Sequence, residues 1–152
     1  MSQEKYKDDT AMFLSQREER FGGKISWKGF SLFYGDNQGN VRERGVFVFR
    51  IADSIYFEDF EITPKILGIP VAQKNKSEYV KFEGSFKVGD IACIRNVTRS
   101  SAMNYVNGKS PLPKSVSVLG KFFTEVVKCV EFKDGSVKFF EFAGSVFEQA
   151  LK

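Results

Sequence analysis

At 152 residues the chain has the length of one globular domain, and its 42% apolar residues are enough to bury a hydrophobic core. The net charge is +4, from 23 Lys and Arg against 19 Asp and Glu, so an acidic partner is allowed but not required. The chain has no histidine, which excludes Ser-His-Asp and Cys-His catalysis and every metal site with a histidine ligand. Seventeen Phe and five Tyr favour a β-rich fold.

The compartment can be predicted from the N-terminus and the cysteines. The first residues, MSQEKYKDD, are polar throughout and do not resemble a signal peptide, and no apolar run is long enough to span a membrane. We therefore expect a cytoplasmic protein without a transmembrane segment. Cys93 and Cys129 both lie in strand-like apolar runs, which predicts two reduced thiols in the core.

A helical extension is predicted over residues 1–23, ahead of the main domain. Asp9 or Thr10 can cap a helix that runs through AMFLSQREERF and ends at a Gly-Gly pair, with the residues before the cap frayed. A narrow stripe at helical spacing consists of Phe13, Leu14, Arg17 and Phe21. Such a stripe favours packing on the rim of the domain over binding a partner.

Three strand-like runs with turn residues between them follow the helix. They cover residues 24–34, 41–51 and 54–62. In the first run Trp27 and Phe30 are out of phase with each other, which predicts a β-bulge or a sharp bend at Lys28-Gly29. In the second run the odd positions from Phe47 onward point to one face, and Arg42, Arg44 and the valines point to the other.

The second half of the chain predicts further strands and a closing helix. Runs at 79–88 and 91–98 are strand-like, and residues 99–115 read as a long polar loop. Asp134-Gly135 predicts a two-residue hairpin turn, with a register that pairs Glu131 with Lys138 and Lys128 with Glu141. A short amphipathic helix, GSVFEQALK, ends the chain.

Antiparallel strands closed by a C-terminal amphipathic helix resemble the pleckstrin-homology superfold over residues 24–152. The matching pieces are Lys28-Gly29, the loop GDNQGN, Arg42-Glu43-Arg44, Phe47-Val48 and Ile55-Tyr56-Phe57. The closing helix lacks the tryptophan usual in that family, and Phe147 stands in its place. The resemblance implies an α+β, mainly β fold, in which an antiparallel meander of about seven strands forms a barrel or roll. The C-terminal helix caps that barrel, and the N-terminal helix is an addition.

The resemblance also implies a ligand site. In lipid-binding members of the family, basic residues on the first two strands hold a phosphoinositide headgroup. Lys28, Arg42 and Arg44 match that pattern, and guanidinium groups suit phosphate oxygens. Glu43 and Asp36 weaken the local positive field, so a solvated charged face is the favoured interpretation of these residues.

Two other site hypotheses arise from the residues. Trp27, Phe30 and Tyr34 beside lysines would suit nucleic acid on an OB-type barrel, although core packing of the aromatics is favoured. Glu58, Asp59 and Glu61 would suit acid-base work, but strand alternation prevents the three from converging.

The sequence thus predicts a non-enzymatic binding or adaptor module without a cofactor or metal. A protein partner is the first expectation, and an anionic lipid surface bound through Lys28, Arg42 and Arg44 is the second. OB-like nucleic-acid binding is a less favoured alternative. An enzyme based on carboxylates or a bound cofactor stays open as a hypothesis from a different class.

Overall fold

The computed structural model describes residues 2–59, 65–66, 69–70, 80–117, 119–120, 124–142 and 146–152. For residues 2–8, 65–66 and 69–70 it describes the backbone alone. The described residues contain three α-helices, which are α1 (Ser2–Phe21), α2 (Arg99–Val106) and α3 (Val146–Ala150). None of these helices has both the length and the apolar character needed to cross a membrane.

Seven strands of the described chain form one antiparallel sheet. In chain order, the described strands are β1 (Ile25–Asp36), β2 (Arg44–Ile51), β3 (Ser54–Asp59), β4 (Lys65–Ile66), β5 (Ile69–Pro70), β6 (Glu83–Lys87), β7 (Ile91–Thr98), β8 (Val126–Phe132) and β9 (Val137–Glu141). The order across the sheet is β6-β3-β2-β1-β9-β8-β7, and β4 and β5 pair separately. The predicted mainly β, antiparallel fold with a helix at each end is confirmed.

The sheet is strongly curled, because its two edge strands are joined by a very short link. Strand β6 ends at Lys87 and β7 begins at Ile91, with one 3-10 turn between them. Four residue steps reach at most about 14 Å. A flat sheet of this order would hold its edges roughly 28 Å apart, six strand spacings. The sheet therefore bends back on itself and encloses its inner face.

The inner face holds the main core. Its buried residues include Phe33, Val46, Val48, Ile55, Phe57, Phe86, Val130, Phe132, Phe140 and Phe147. Phe147 of α3 is fully buried and stacks on Phe142 with ring centroids 4.8 Å apart. The closing helix therefore completes this core, to which it contributes the Phe147 ring.

The outer face of the sheet is covered in two separate places. Helix α1 packs Leu14 and Phe21 onto Phe47, Phe49 and Ile51 of β2. Helix α2 covers a different part of the same face, over β1, β7, β8 and β9. Its Ala102 and Val106 pack there in a cluster with Tyr34, Val97, Val127, Cys129, Val137 and Phe139. The two helices leave part of β1 between them.

Helix α1 begins earlier than its capping signal predicts. The structure has a helix from Ser2, so the predicted frayed segment is wrong, whereas the stripe from Phe13 to Phe21 does face the sheet as the spacing predicts. The sequence SQEKYKDD contains no proline or glycine, and nothing in its propensities stops the helix from extending toward the N-terminus.

The predicted bulge at Lys28-Gly29 is wrong. Pairing with β2 is regular there, with Lys28 opposite Phe49 and Gly29 opposite Val48. The irregularities lie instead between Ile25 and Trp27, and between Phe33 and Gly35. Phe30, Leu32 and Tyr34 are out of phase with Trp27 because they occupy the outer face, whereas Trp27 packs on the inner one.

The predicted polar loop over residues 99–115 is wrong in its first half, where α2 forms. The Thr98 hydroxyl caps this helix by accepting from the Ser101 amide at 3.1 Å. Ala102 and Val106 are four residues apart and both buried. Two small apolar residues in a polar stretch are a weak helical signal, and the helix is stabilised by its contact with the sheet.

The predicted hairpin register is wrong by one residue. Cys129 lies opposite Phe139, and Val130 lies opposite Lys138. The Phe132 amide donates to the Ser136 carbonyl at 2.9 Å, and Gly135 adopts a φ of 87°. The connection is therefore a three-residue loop with glycine in the left-handed position, one residue longer than the expected Asp-Gly turn.

Candidate functional site

An exposed apolar strip lies on the outer face of β1, between the two helix-covered areas. Phe30 is 71% exposed and Leu32 is 37% exposed, although both belong to a central strand. Leu32 is flanked by Gly45 on β2 and Glu141 on β9. Opposed residues of antiparallel strands point to the same face, so these four residues form one surface, which we call the β1 strip.

The strip forms a shallow groove with an aromatic floor at one side. The groove has a volume of about 340 Å³, and its lining includes Phe30, Leu32 and Gly45. Phe30 rests against Phe47 with ring centroids 5.4 Å apart, and Phe13 of α1 contacts the same ring at 5.2 Å. The absence of a side chain at Gly45 leaves room beside Leu32. Large apolar side chains that gather on a protein surface indicate an interaction site.

The end of the strip nearest α2 is acidic. The Tyr34 hydroxyl donates to the Glu141 carboxylate at 2.6 Å, and Tyr34 itself is fully buried. The Arg99 guanidinium lies over the Tyr34 ring and pairs with Glu125 at 2.8 Å and with Glu43 at 3.4 Å. Burial raises the pKa of Tyr34, and the Glu141 carboxylate raises it further, so the phenol stays protonated. Two carboxylates thus share the Arg99 guanidinium, and a third, Glu141, accepts from the tyrosine that lies beneath it.

The three basic residues of the predicted headgroup site do not come together. Lys28 lies opposite Phe49 on the outer face, and Arg44 lies opposite Phe33 at the inner side of the sheet. Their positions are five residues apart along β1, roughly 17 Å. Arg44 pairs with Asp59 at 3.3 Å and lies 4.6 Å over the Phe82 ring. Arg42 is exposed and precedes β2. Headgroup binding through these residues stays a prediction.

Two of the three candidate acid-base carboxylates hold the fold together. Glu58 is 4% exposed and pairs with Arg17 and, at 3.5 Å, with Lys81. Asp59 pairs with Arg44 and accepts from the Phe82 amide at 2.9 Å. The two side chains belong to opposite faces of β3, as alternation predicts. Glu61 lies outside the described residues.

The aromatic residues considered for nucleic-acid binding are divided between the core and the surface. Trp27 packs against the core near Phe142, and Tyr34 is fully buried. Phe30 is the exposed member of the three. Stacking with successive bases needs several exposed rings in a row, and these three residues do not provide it.

A second cavity, of about 410 Å³, lies between β6 and the β8–β9 hairpin. Two of its charged groups are bonded within the chain. Asp134 accepts from the Ser136 amide and hydroxyl, and Lys138 pairs with Asp36 at 3.6 Å. The buried Asp36 also accepts from two backbone amides of its own loop, which explains its place in the sequence GDNQGN.

Within the described ranges no group of three or more acidic or cysteine side chains is arranged to hold a metal ion. Comparisons with protein-family models, with curated proteins and with solved structures found no match to this chain. The evidence for the β1 strip is therefore the geometry of its own residues. Sequence reasoning missed it, although the phase difference between Trp27 and Phe30 was its signal.

Proposed function

We propose that this chain is a non-enzymatic protein-interaction module on a pleckstrin-homology-like fold, and that the β1 strip is its docking surface. The observation that carries the proposal is the 71% exposure of Phe30 in a central strand, beside a cross-strand partner, Phe47, that is buried under α1. Aromatic side chains at the centre of a groove are the residues that contribute most to binding between proteins.

The fold assignment in this proposal is supported by the order of the strands. The first strand of the sheet pairs with the last one, β1 with β9, and the edge strands β6 and β7 are consecutive along the chain. The chain then closes with α3, which adds Phe147 to the inner core. A curled antiparallel meander completed by a C-terminal helix is the arrangement that the sequence resemblance implies.

Selection from a displayed peptide library tests the docking surface and needs no candidate partner. We expect the selected peptides to bind the wild type and to shift the backbone amide NMR signals of Phe30, Leu32 and Gly45. Phe30→Asp should weaken their binding at least about tenfold, since it places a charge at the centre of the apolar contact.

The matched control is Val80→Asp, a second exposed apolar residue outside the strip, at 77% exposure. This variant should bind the selected peptides as the wild type does. The proposal fails if the peptides bind Phe30→Asp unchanged, or if their NMR shifts map to another surface.

A further inference from the structure

Charged residues of opposite sign flank the β1 strip at its two ends. Lys28 is exposed on the outer face at one end, and it has no ion pair with any described residue. Phe30 and Leu32 follow it, and the acidic end with Glu43 and Glu141 comes last. Lys28 and Leu32 are four residues apart, about 13 Å along the strand. The order along the surface is therefore positive, apolar, apolar, negative.

The acidic end keeps an excess of negative charge. Glu141 accepts the Tyr34 hydroxyl, which is neutral, so its charge is not compensated there. Glu43 and Glu125 share the single guanidinium of Arg99, at 3.4 Å and 2.8 Å. The exposed Arg42 adjoins Glu43 in the sequence, so three carboxylates against two cations leave about one negative charge. Lys28 is a cation of the same surface that pairs with none of the three carboxylates.

Two copies of a surface with this charge order are complementary to each other when they meet in opposite directions. In a two-fold symmetric contact, residue i of one copy meets residue j of the other, and j meets i. An axis through Phe30, midway between Lys28 and Leu32, places Phe30 against Phe30 of the second copy. The same axis places Lys28 opposite Leu32 of the second copy, beside the acidic end that flanks it, and it does so twice.

We propose that the occupant of the β1 strip is a second copy of this chain, bound antiparallel across the strip with Lys28 of each copy against the acidic end of the other. This inference rests on the proposed docking surface and names its partner. The apolar centre supplies the attraction, and the two charge contacts set the direction of the pairing. Phe13 of α1, at 36% exposure, extends the apolar area beside Phe30, because both rings contact Phe47.

The strip is smaller than a standard protein interface, so we expect micromolar affinity. The wild type should pass from monomer toward dimer in sedimentation equilibrium between about 5 and about 500 µM, a range that spans such affinities. Phe30→Asp should be a monomer throughout. A wild type that stays monomeric over the whole range overturns the inference.

Charge reversal gives the sharper test. Lys28→Glu and Glu43→Lys each create two repulsive contacts in their own homodimers and should weaken association at least about tenfold. Mixing the two variants in equal amounts restores both contacts. In one contact the two introduced side chains, of opposite charge, meet each other, and in the other contact the unaltered Lys28 meets the unaltered Glu43. We expect the mixture to form a heterodimer within about threefold of the wild-type affinity.

The control for charge is Lys87→Glu, at an exposed lysine on β6. It carries the same charge change and should dimerise as the wild type does. Far-ultraviolet circular dichroism and thermal midpoints verify that every variant is folded. A mixture that stays as weak as its components, or a Lys87→Glu variant weakened as much as Lys28→Glu, refutes pairing in this orientation.

The outcomes separate this inference from the proposed function. If the wild type is monomeric but selected peptides still bind the strip and lose affinity in Phe30→Asp, the docking surface stands and the second copy is excluded as its occupant. If neither dimerisation nor peptide binding involves Phe30, both proposals are wrong.

Discussion

Cys129 shows how a single residue responds to its burial. Its thiol is fully buried among the apolar side chains under α2, and the Arg95 guanidinium lies 3.9 Å from its sulfur. Burial raises the pKa of Cys129 to about 11, and Arg95 opposes part of that rise. The thiol therefore ionises at a higher pH in the folded protein than in the unfolded chain.

The free energy of unfolding should fall between pH 9 and pH 11. A thiol whose pKa is raised by folding stabilises the fold below its unfolded pKa of about 9 and loses that contribution as pH rises through about 11. The loss from this group is on the order of 2–3 kcal/mol. Urea unfolding measured at several pH values checks it.

Two variants separate the contribution of Cys129 to this pH dependence from that of Cys93. Cys129→Ala should flatten the loss between pH 9 and pH 10, and Cys93→Ala, which leaves Cys129 in place, should retain it. Tyr34, whose pKa is also raised by burial, adds a loss of the same sign above pH 10 in every variant. Equal profiles for the wild type and Cys129→Ala would contradict this account.

Helix α1 attaches to the sheet through one buried and one exposed ion pair. Arg17 contacts Glu58, with side chains only 15% and 5% exposed. One turn further along, Arg20 pairs with Glu83 at 2.9 Å, with side chains 52% and 42% exposed. The two arginines offer a matched comparison within one helix.

Arg17→Met should destabilise the protein by about 2–4 kcal/mol, because it leaves the Glu58 carboxylate buried with only Lys81 near it. Arg20→Met should cost less than about 1 kcal/mol, since water solvates both partners of an exposed pair. Chemical denaturation measures the free energy of unfolding of both variants. Equal losses would show that α1 is not held by the buried pair.

Two elements differ from their sequence predictions because local signals were incomplete. The propensities of residues 99–106 do not favour a helix over a polar loop, and burial of Ala102 and Val106 against the sheet makes the difference. At the hairpin, Asp134-Gly135 marks the turn correctly but does not set its length. The pairing of β9 with β1 constrains the register, and the hairpin sequence alone cannot reveal that pairing.

At the scale of the whole molecule, the sheet separates Lys28 from Arg44, and this bears on the headgroup hypothesis. A single pocket built from Lys28, Arg42 and Arg44 predicts that Lys28→Glu and Arg42→Glu lose binding to phosphoinositide-containing vesicles. Because Lys28 and Arg44 lie at different faces of the sheet, we expect Lys28→Glu, Arg42→Glu and the control Lys87→Glu to sediment alike with such vesicles at low salt.

Vesicle co-sedimentation at two salt concentrations makes this measurement. The expectation would be wrong if Lys28→Glu and Arg42→Glu lost binding that Lys87→Glu retained. That result would support a headgroup site built from the basic residues of the first two strands.

The sequence by itself determined the fold class, because aromatic and β-branched residues that alternate with polar ones share one face when the chain forms a β-sheet. The apolar stripe on α1 and the closing helix follow in the same way from helical periodicity. It also placed Phe47, Phe49 and Ile51 together on one face. The β1 strip was decided by the tertiary structure alone. Phe30 reads like a core residue, and it is exposed because α1 and α2 cover the sheet on either side of it. Contacts between distant segments decide which apolar residues a helix leaves uncovered, and the local periodicity of the sequence does not predict those contacts.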